Sequence, residues 1–249
     1  MSRELSNKTA VITGGAQGIG LAVAEEFLKK SVKIVILLDF DETTGAKAAE
    51  TLNTEYGENK AAFIKCDVTA DLEVVSKLIF DKYGTVDILV NNAGIVCESI
   101  PKKCIAVNAT AVIEWTLKFW ENLRKDKGGN GGTIINMGSI YSSRIDPFCP
   151  VYTASKFAVL GFTKSLGLDY HYAKTNVRVI AVCPGFTKTK ITNIKGEDEE
   201  LQRDFENYLR TKVQWQTSDA VGRAAVEAFE SADSGTAWLI EGNRPIQKI

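Results

Sequence analysis

Tyr152 and Lys156 are separated by Thr-Ala-Ser, so on a helix a phenol and an ammonium would share one face, a turn apart. A phenol that titrates near pH 10 must be brought down to about 7 to act as a base at neutrality, equivalent to about 4 kcal/mol. One ammonium at about 4 Å under an effective dielectric near 20 supplies a similar amount, so Lys156 alone is expected to suffice. The spacing is not selective, because Tyr56/Lys60, Tyr170/Lys174 and Tyr208/Lys212 repeat it. Context selects Tyr152. Tyr56 precedes Gly57 and Asn59, which suit a helix end. Tyr170 lies near the end of a long helix and Tyr208 in a charged insertion, and these three pairs read as surface features. Tyr152 alone follows a strand ending in Met137-Gly138-Ser139, across a loop that can fold the Ser139 hydroxyl beside it. Such a hydroxyl can hold a substrate oxygen in the geometry that hydride transfer needs.

A hydride acceptor must then be positioned. The run Thr13-Gly14-Gly15-Ala16-Gln17-Gly18-Ile19-Gly20 closes an apolar strand and opens a helix. Glycines there let the backbone approach a pyrophosphate, whose charge the amide N–H groups and the helix dipole meet. The next strand, Lys33-Ile-Val-Ile-Leu-Leu-Asp39, ends in a carboxylate about 20 residues beyond the turn, where a ribose 2′-hydroxyl sits. Asp39 should accept from that hydroxyl and repel a 2′-phosphate by about 4 kcal/mol. Neither the turn nor Phe40 offers a cation to offset this, so NAD is preferred over NADP.

Other chemistries are excluded by residue supply. His171 is the only histidine, so no Ser/His/Asp triad can form, and without a Cys/His cluster no metal site is expected. Five cysteines, odd in number and never in a CxxC pair, suit a reducing compartment, and the reading is cytoplasmic. A formal charge of −1 gives no global field for nucleic acid, and neither a signal peptide nor a membrane span is expected. At 249 residues and 45% hydrophobic, the chain has the proportions of one globular α/β domain.

The elements that carry these residues alternate between apolar runs of strand length and amphipathic runs of helix length. Strands are expected at 9–13, 33–39, 61–65, 87–91, 132–138, 176–183 and 236–241, and two long helices at 101–125 and 151–173. The alternation predicts a Rossmann-type, doubly wound α/β domain spanning 1–249, with a seven-stranded, mostly parallel sheet and helices on both faces. The charged segment 190–216 interrupts it. Leu201, Phe205, Tyr208, Leu209 and Val213 share one helical face there, which suits either a surface helix or a mobile cover over a pocket.

In this order the motifs resemble the short-chain dehydrogenase/reductase family, from Lys8 to about Glu241. The residues are Thr13-Gly14 to Gly20, Cys66-Asp67-Val68, Asn91-Asn92-Ala93-Gly94, Asn108, Ser139, Tyr152 to Lys156 and Pro184-Gly185. The resemblance implies that Asp67 and Val68 meet adenine and that Asn91, Ala93 and Gly94 lie against the cofactor. It also implies that Asn108 holds a water beside Lys156, and that Pro184, Gly185, Thr187 and Thr189 line the nicotinamide. Within the family, Cys104 to Asn108 and Pro184 to Thr189 are similar to insect alcohol dehydrogenases. Gly128 to Met137 and Pro150-Val151-Tyr152 are similar to NAD-dependent 15-hydroxyprostaglandin dehydrogenases. Cys149 departs from the polar amide that the prostaglandin enzymes carry there, so prostaglandin is not carried over as the substrate.

The expectation is an NAD-dependent alcohol dehydrogenase or ketone reductase. Tyr152 is the base, Ser139 orients the oxygen, Lys156 tunes the phenol and fixes the ribose, and Asn108 supports a proton relay. Gln17, Gly18 and Ile19 face the cofactor with Gly14 and Gly20. A substrate pocket is expected among Ile95, Val96, Ile140, Tyr141, Phe148, Cys149, Phe186, Ile191, Phe205, Tyr208, Leu209 and Trp215. Their apolar character suits a lipid-, terpenoid- or steroid-like alcohol. The competing readings are a catalytically silent NAD-binding sensor or scaffold and another nucleotide-binding α/β enzyme such as a methyltransferase. Apolar residues beyond one stripe on helices 101–125 and 151–173 predict a homodimer through them.

Overall fold

The computed structural model describes residues 3–192 and 199–249, so residues 193–198 of the expected insertion lie outside the described residues. Strands β1 (Thr9–Thr13), β2 (Ile34–Asp39), β3 (Ala61–Lys65), β4 (Ile88–Asn91), β5 (Gly132–Met137), β6 (Val177–Pro184) and β7 (Ala237–Ile240) pair in parallel in the order β3-β2-β1-β4-β5-β6-β7. Side chains alternate between the two faces of the sheet. Ile12, Val35 and Leu37 enter one core with Phe27 and Phe229, while Val11, Ile36 and Leu38 enter the other with Trp115 and Phe119. A parallel strand covered on both faces must be apolar at every position, which is why these runs do not alternate with polar residues.

Helix α1 (Gly18–Lys29) follows β1, α2 (Glu42–Tyr56) follows β2, and α3 (Leu72–Tyr83) follows β3. The chain order reverses between β1 and β4, which opens a crevice at the carboxyl ends of those two strands. Beneath the crevice a buried polar network ties sheet to helices. Asn91 Nδ2 donates to Thr116 Oγ1 and Asn136 Oδ1, each at 2.9 Å, and Asn136 Nδ2 donates to Thr163 Oγ1 at 2.9 Å. Leaving one of these buried groups unpaired would cost about 1–3 kcal/mol, so the network fixes how the helices seat on β4 and β5.

The architecture departs from expectation in three places. A two-residue strand β8 (Gln247–Lys248) pairs antiparallel with β7, giving eight strands among the described residues; so short a strand carries no periodic signal. The helix expected at 101–125 is α4 (Pro101–Ile105), a π-helical turn (Ala106–Thr110) and α5 (Ala111–Leu123). The helix expected at 151–173 is α6 (Pro150–Leu166), then a break, then α7 (Asp169–Thr175). The break falls where a Cβ on Gly167 would lie 2.3 Å from the Gly235 backbone nitrogen, so only glycine admits this crossing. Helix α8 (Glu199–Thr211) lies in the charged segment, and α9 (Ser218–Ser231) packs against α1.

Candidate active site

The glycine turn forms a cradle that other side chains cannot enter. Gly14 and Gly18 hold φ of +62° and +59°, and a Cβ on Gly20 would stand 2.2 Å from the Gly14 carbonyl oxygen. No side chain caps the start of α1 at Gln17, and its first turn holds no acidic residue. The amide donors of Gly18, Ile19 and Gly20 thus face an uncapped positive helix end, the donor set that a pyrophosphate requires.

At the adenosine end, Asp39 is buried, with Oδ2 accepting from Ala16 N and Oδ1 from Asp41 N, both at 3.1 Å. The carboxylate therefore braces the glycine turn as well as ending β2. Asp67 is exposed, and its Oδ1 accepts from the Thr69 amide and hydroxyl, which hold its carboxyl below the usual range. The Val68 carbonyl accepts from Trp115 Nε1 at 2.9 Å.

The structure corrects the reading of the asparagine pair. Asn91 turns its side chain into the buried network, away from the crevice. Asn92 lines the pocket, and its Nδ2 donates to Thr13 O at 3.1 Å and Gly14 O at 3.0 Å, pinning the glycine turn to β4. The doublet in Asn91-Asn92-Ala93-Gly94 is the signal; β4 ends at Asn91, so it is the residue just beyond the strand that faces the crevice. Thr13 Oγ1 accepts from Ala93 N at 3.1 Å, and Gly94 lines the pocket.

Ser139, Tyr152 and Lys156 converge on that pocket. Ser139 follows the end of β5, its Oγ accepts from Tyr141 N at 3.2 Å, and its hydroxyl beside the Tyr152 phenol draws the phenol's pKa down. Burial outweighs this and pushes the phenol up to about 12. Lys156 Nζ donates to the Met137 carbonyl at 2.9 Å and stands 5.6 Å from the centroid of the Tyr152 ring; burial pulls its pKa down to about 8. Lys156 alone therefore does not bring Tyr152 to neutrality, because both groups lose water in the same low-dielectric pocket. Asn108 lies in the π-helical turn. Its Oδ1 accepts from Ile95 N at 2.9 Å, and its Nδ2 donates to Ile95 O at 2.8 Å and Ser155 Oγ at 3.2 Å. That amide is therefore committed to protein partners.

The depressed lysine carries a prediction for the cofactor-free protein. The unfolded chain keeps this proton up to about 10.5 and the folded chain only to about 8, so the stability lost to the buried charge is regained as pH rises between those values. Unfolding free energy should gain about 2 kcal/mol between pH 7 and pH 9.5 relative to Lys156→Met. Denaturant titrations of both proteins at the two pH values test this, and an equal rise in both would overturn it.

Of the expected pocket residues, Val96, Ile140, Tyr141, Cys149, Phe186, Ile191, Phe205 and Leu209 line the cavity, with Ile19, Pro184, Gly185, Thr187 and Thr189 on the cofactor side. Ile95, Phe148, Tyr208 and Trp215 are not part of this lining. Phe148 packs on Phe205 and Tyr208 with ring centroids 5.1 and 5.3 Å apart, and Phe186 contacts Tyr208 and Trp215 at 6.1 and 5.9 Å. Tyr208 is thus part of this aromatic web and not a surface feature, and partly buried Tyr56 packs on the core of the α1 face. Leu201 is exposed, so the apolar face of α8 is engaged mainly through Phe205 and its neighbours. Gln216 was not anticipated. It is buried, and its Nε2 donates to Thr187 Oγ1 and Ile240 O, each at 3.1 Å, holding the Pro184–Thr189 loop against the sheet. Among the described residues no cluster of His, Cys, Asp and Glu could hold a metal ion.

The pattern of the short chain dehydrogenase family matches residues 8–200. The chain is 34% identical over 215 residues to 15-hydroxyprostaglandin dehydrogenase [NAD(+)] of Homo sapiens, covering 85% of this chain and 80% of that protein. It is 30% identical over 241 residues to Alcohol dehydrogenase 2 of Ceratitis cosyra, covering 94% and 92%. A solved short-chain type dehydrogenase/reductase from Mycobacterium marinum shares the fold with a TM-score of 0.83 at 24% identity, covering 96% of each chain.

Proposed function

Because the chain belongs to the short-chain dehydrogenase family, we propose that it oxidises an apolar secondary alcohol, or reduces the matching ketone, with NAD as cofactor. The observation that carries this reading is the convergence of Ser139, Tyr152 and Lys156 on one apolar pocket beside the glycine cradle. Bound in the cradle, NAD supplies the hydride acceptor and, when oxidised, a positive charge that favours the phenolate. Ser139 holds the substrate oxygen, and Tyr152 takes its proton. Lys156, still mostly protonated at pH 7, fixes the ribose and supports the phenolate. Asn108 keeps the π-helical turn in place beside Lys156 for the proton relay. Asp39 selects NAD by its charge, with Asp67, Val68, Ala93 and Gly94 along the cofactor.

Val96, Ile140, Phe186, Phe205 and Leu209 favour a lipid-, terpenoid- or steroid-like alcohol over a sugar. Residues 1–249 act as one catalytic domain in this reading, with segment 190–216 covering the pocket through α8. Neither a silent sensor nor a methyltransferase gives a purpose to the convergence of Ser139, Tyr152 and Lys156 on one pocket. Screening secondary alcohols with NAD by absorbance of the reduced nicotinamide tests the proposal. Turnover of apolar alcohols is expected, and NAD binding without turnover of any alcohol or ketone would favour the sensor.

A cytoplasmic location is supported by five free cysteines. No helix among the described residues is long and apolar enough to cross a membrane. We also take the protein as a homodimer, on a narrower surface than the sequence suggested. Val112, Trp115, Phe119 and Trp120 are buried within the chain itself, whereas Ala154, Phe157, Ala158, Gly161 and Ser165 on α6 remain exposed. Light scattering should give a mass near twice 27.2 kDa. A fully active monomer at micromolar concentration would reject both the interface and its support of the catalytic helix.

A further inference from the structure

Helix α6 begins with an unusual supply of donors. Its first residue is Pro150, which has no N–H, and Thr153 N already bonds the Cys149 carbonyl at 2.8 Å. The amides of Val151 and Tyr152 are left, and the Cys149 side chain caps neither. Both go to one carboxylate. Val151 N donates to Glu98 Oε2 at 2.8 Å and Tyr152 N to Glu98 Oε1 at 2.9 Å. Glu98 is more than fifty residues away, half-buried, in the segment that leaves β4 through Asn92, Gly94 and Val96, all of which line the pocket.

From this geometry we infer that Glu98 is a positioning residue that clamps the start of the Tyr152 helix to the cofactor-side loop after β4. The inference rests on the reading of Tyr152 as the base and adds the group that holds it in place. A two-point bond to the amide of Tyr152 itself and of its neighbour fixes both the height of the helix and its rotation about its axis. That rotation decides whether the phenol meets Ser139, whose own place is set by β5. The two hydrogen bonds are charge-assisted and lie on the positive end of the helix dipole, which a carboxylate serves better than an amide. An Asn or Gln side chain can accept one of these bonds with its oxygen, but its NH₂ group meets the other N–H.

The test has two arms, and the first needs neither cofactor nor turnover. Residue-resolved amide hydrogen exchange of the cofactor-free protein is compared between wild type and Glu98→Gln. Val151 and Tyr152 should exchange at least tenfold faster in the variant, with the strands and the later turns of α6 unchanged. In the second arm kcat should fall about tenfold with KM for NAD unchanged, and the primary isotope effect with a carbinol-deuterated alcohol should rise as proton and hydride transfer become limiting. Glu98→Asp, with the charge kept but one methylene withdrawn, should recover part of the exchange protection and part of kcat. Unchanged exchange at Val151 and Tyr152 would overturn the clamp; faster exchange with kcat and isotope effect unchanged would overturn its role in positioning. A wild-type protein that turned over no alcohol would count against the proposed function, and the exchange arm would still decide the clamp.

Discussion

Replacing Tyr152 by Phe should lower kcat on the order of 10³-fold and leave NAD affinity within a few-fold of wild type. The substitution removes one oxygen and keeps the ring, which packs edge-on against Tyr141 with centroids 6.1 Å apart. Ser139 keeps its bond from the Tyr141 amide, and Lys156 keeps the Met137 carbonyl, so the pocket retains its shape. Stopped-flow turnover with NAD fluorescence titration measures both quantities. Activity above a tenth of wild type would remove Tyr152 as the base. Controls come from the other tyrosines that share its spacing. Tyr170→Phe touches an exposed ring whose partner Lys174 lies 3.9 Å from its centroid, and Tyr56→Phe a ring packed on the core with Phe27 and outside the pocket lining; neither should change the chemical step. Tyr208→Phe keeps the ring that supports Phe148 and Phe186, so its effect should stay in KM.

Much of this site could be read from the chain because its chemistry is local. The glycine run, the strand-end Asp39 and the helical spacing of Tyr152 and Lys156 are short-range patterns, and Ser139 follows from where β5 must stop. What could not be read is set by distance and by solvent. Glu98 reaches the Tyr152 helix across a sequence separation that no spacing rule links. Asn91 closes β4 and is buried, while Asn92 lies just beyond it and lines the pocket, so their roles depend on where the strand ends. The pKa of Tyr152 was expected to follow its charged neighbour, yet burial acts on both partners and reverses the sign. The break between α6 and α7 follows from Gly167 meeting Gly235, a contact between segments far apart in the chain. Local residue types thus name the chemistry, while the supports of that chemistry depend on the assembled fold.

Asp39→Asn is expected to move the ratio of kcat/KM for NADP over NAD upward by about 10²-fold, chiefly through loss of the repulsion that a 2′-phosphate meets. One negative charge at about 4 Å under an effective dielectric near 20 is worth about 4 kcal/mol, close to 10³-fold. The structure lowers that figure, because the Ala16 and Asp41 amides already donate to the carboxylate and spread its charge. Nearby cations do little to draw in the phosphate. Phe40 is the next residue, and Lys65, the strand neighbour of Asp39, pairs with Glu42 at 3.0 Å. The ratio should therefore change partly because NAD binds more weakly, since an asparagine satisfies only one of the two amides and loosens the glycine turn. Asp39→Ala separates the two causes: it removes the same charge and both acceptors. If charge governs the choice, the two variants share one cofactor ratio and differ only in absolute kcat/KM, with alanine the poorer enzyme. If bracing of the turn governs it, the ratio moves further in the alanine variant, which leaves both amides unpaired, than in the asparagine one, which keeps one acceptor. A ratio unchanged in both would mean that the carboxylate does not meet the ribose at all.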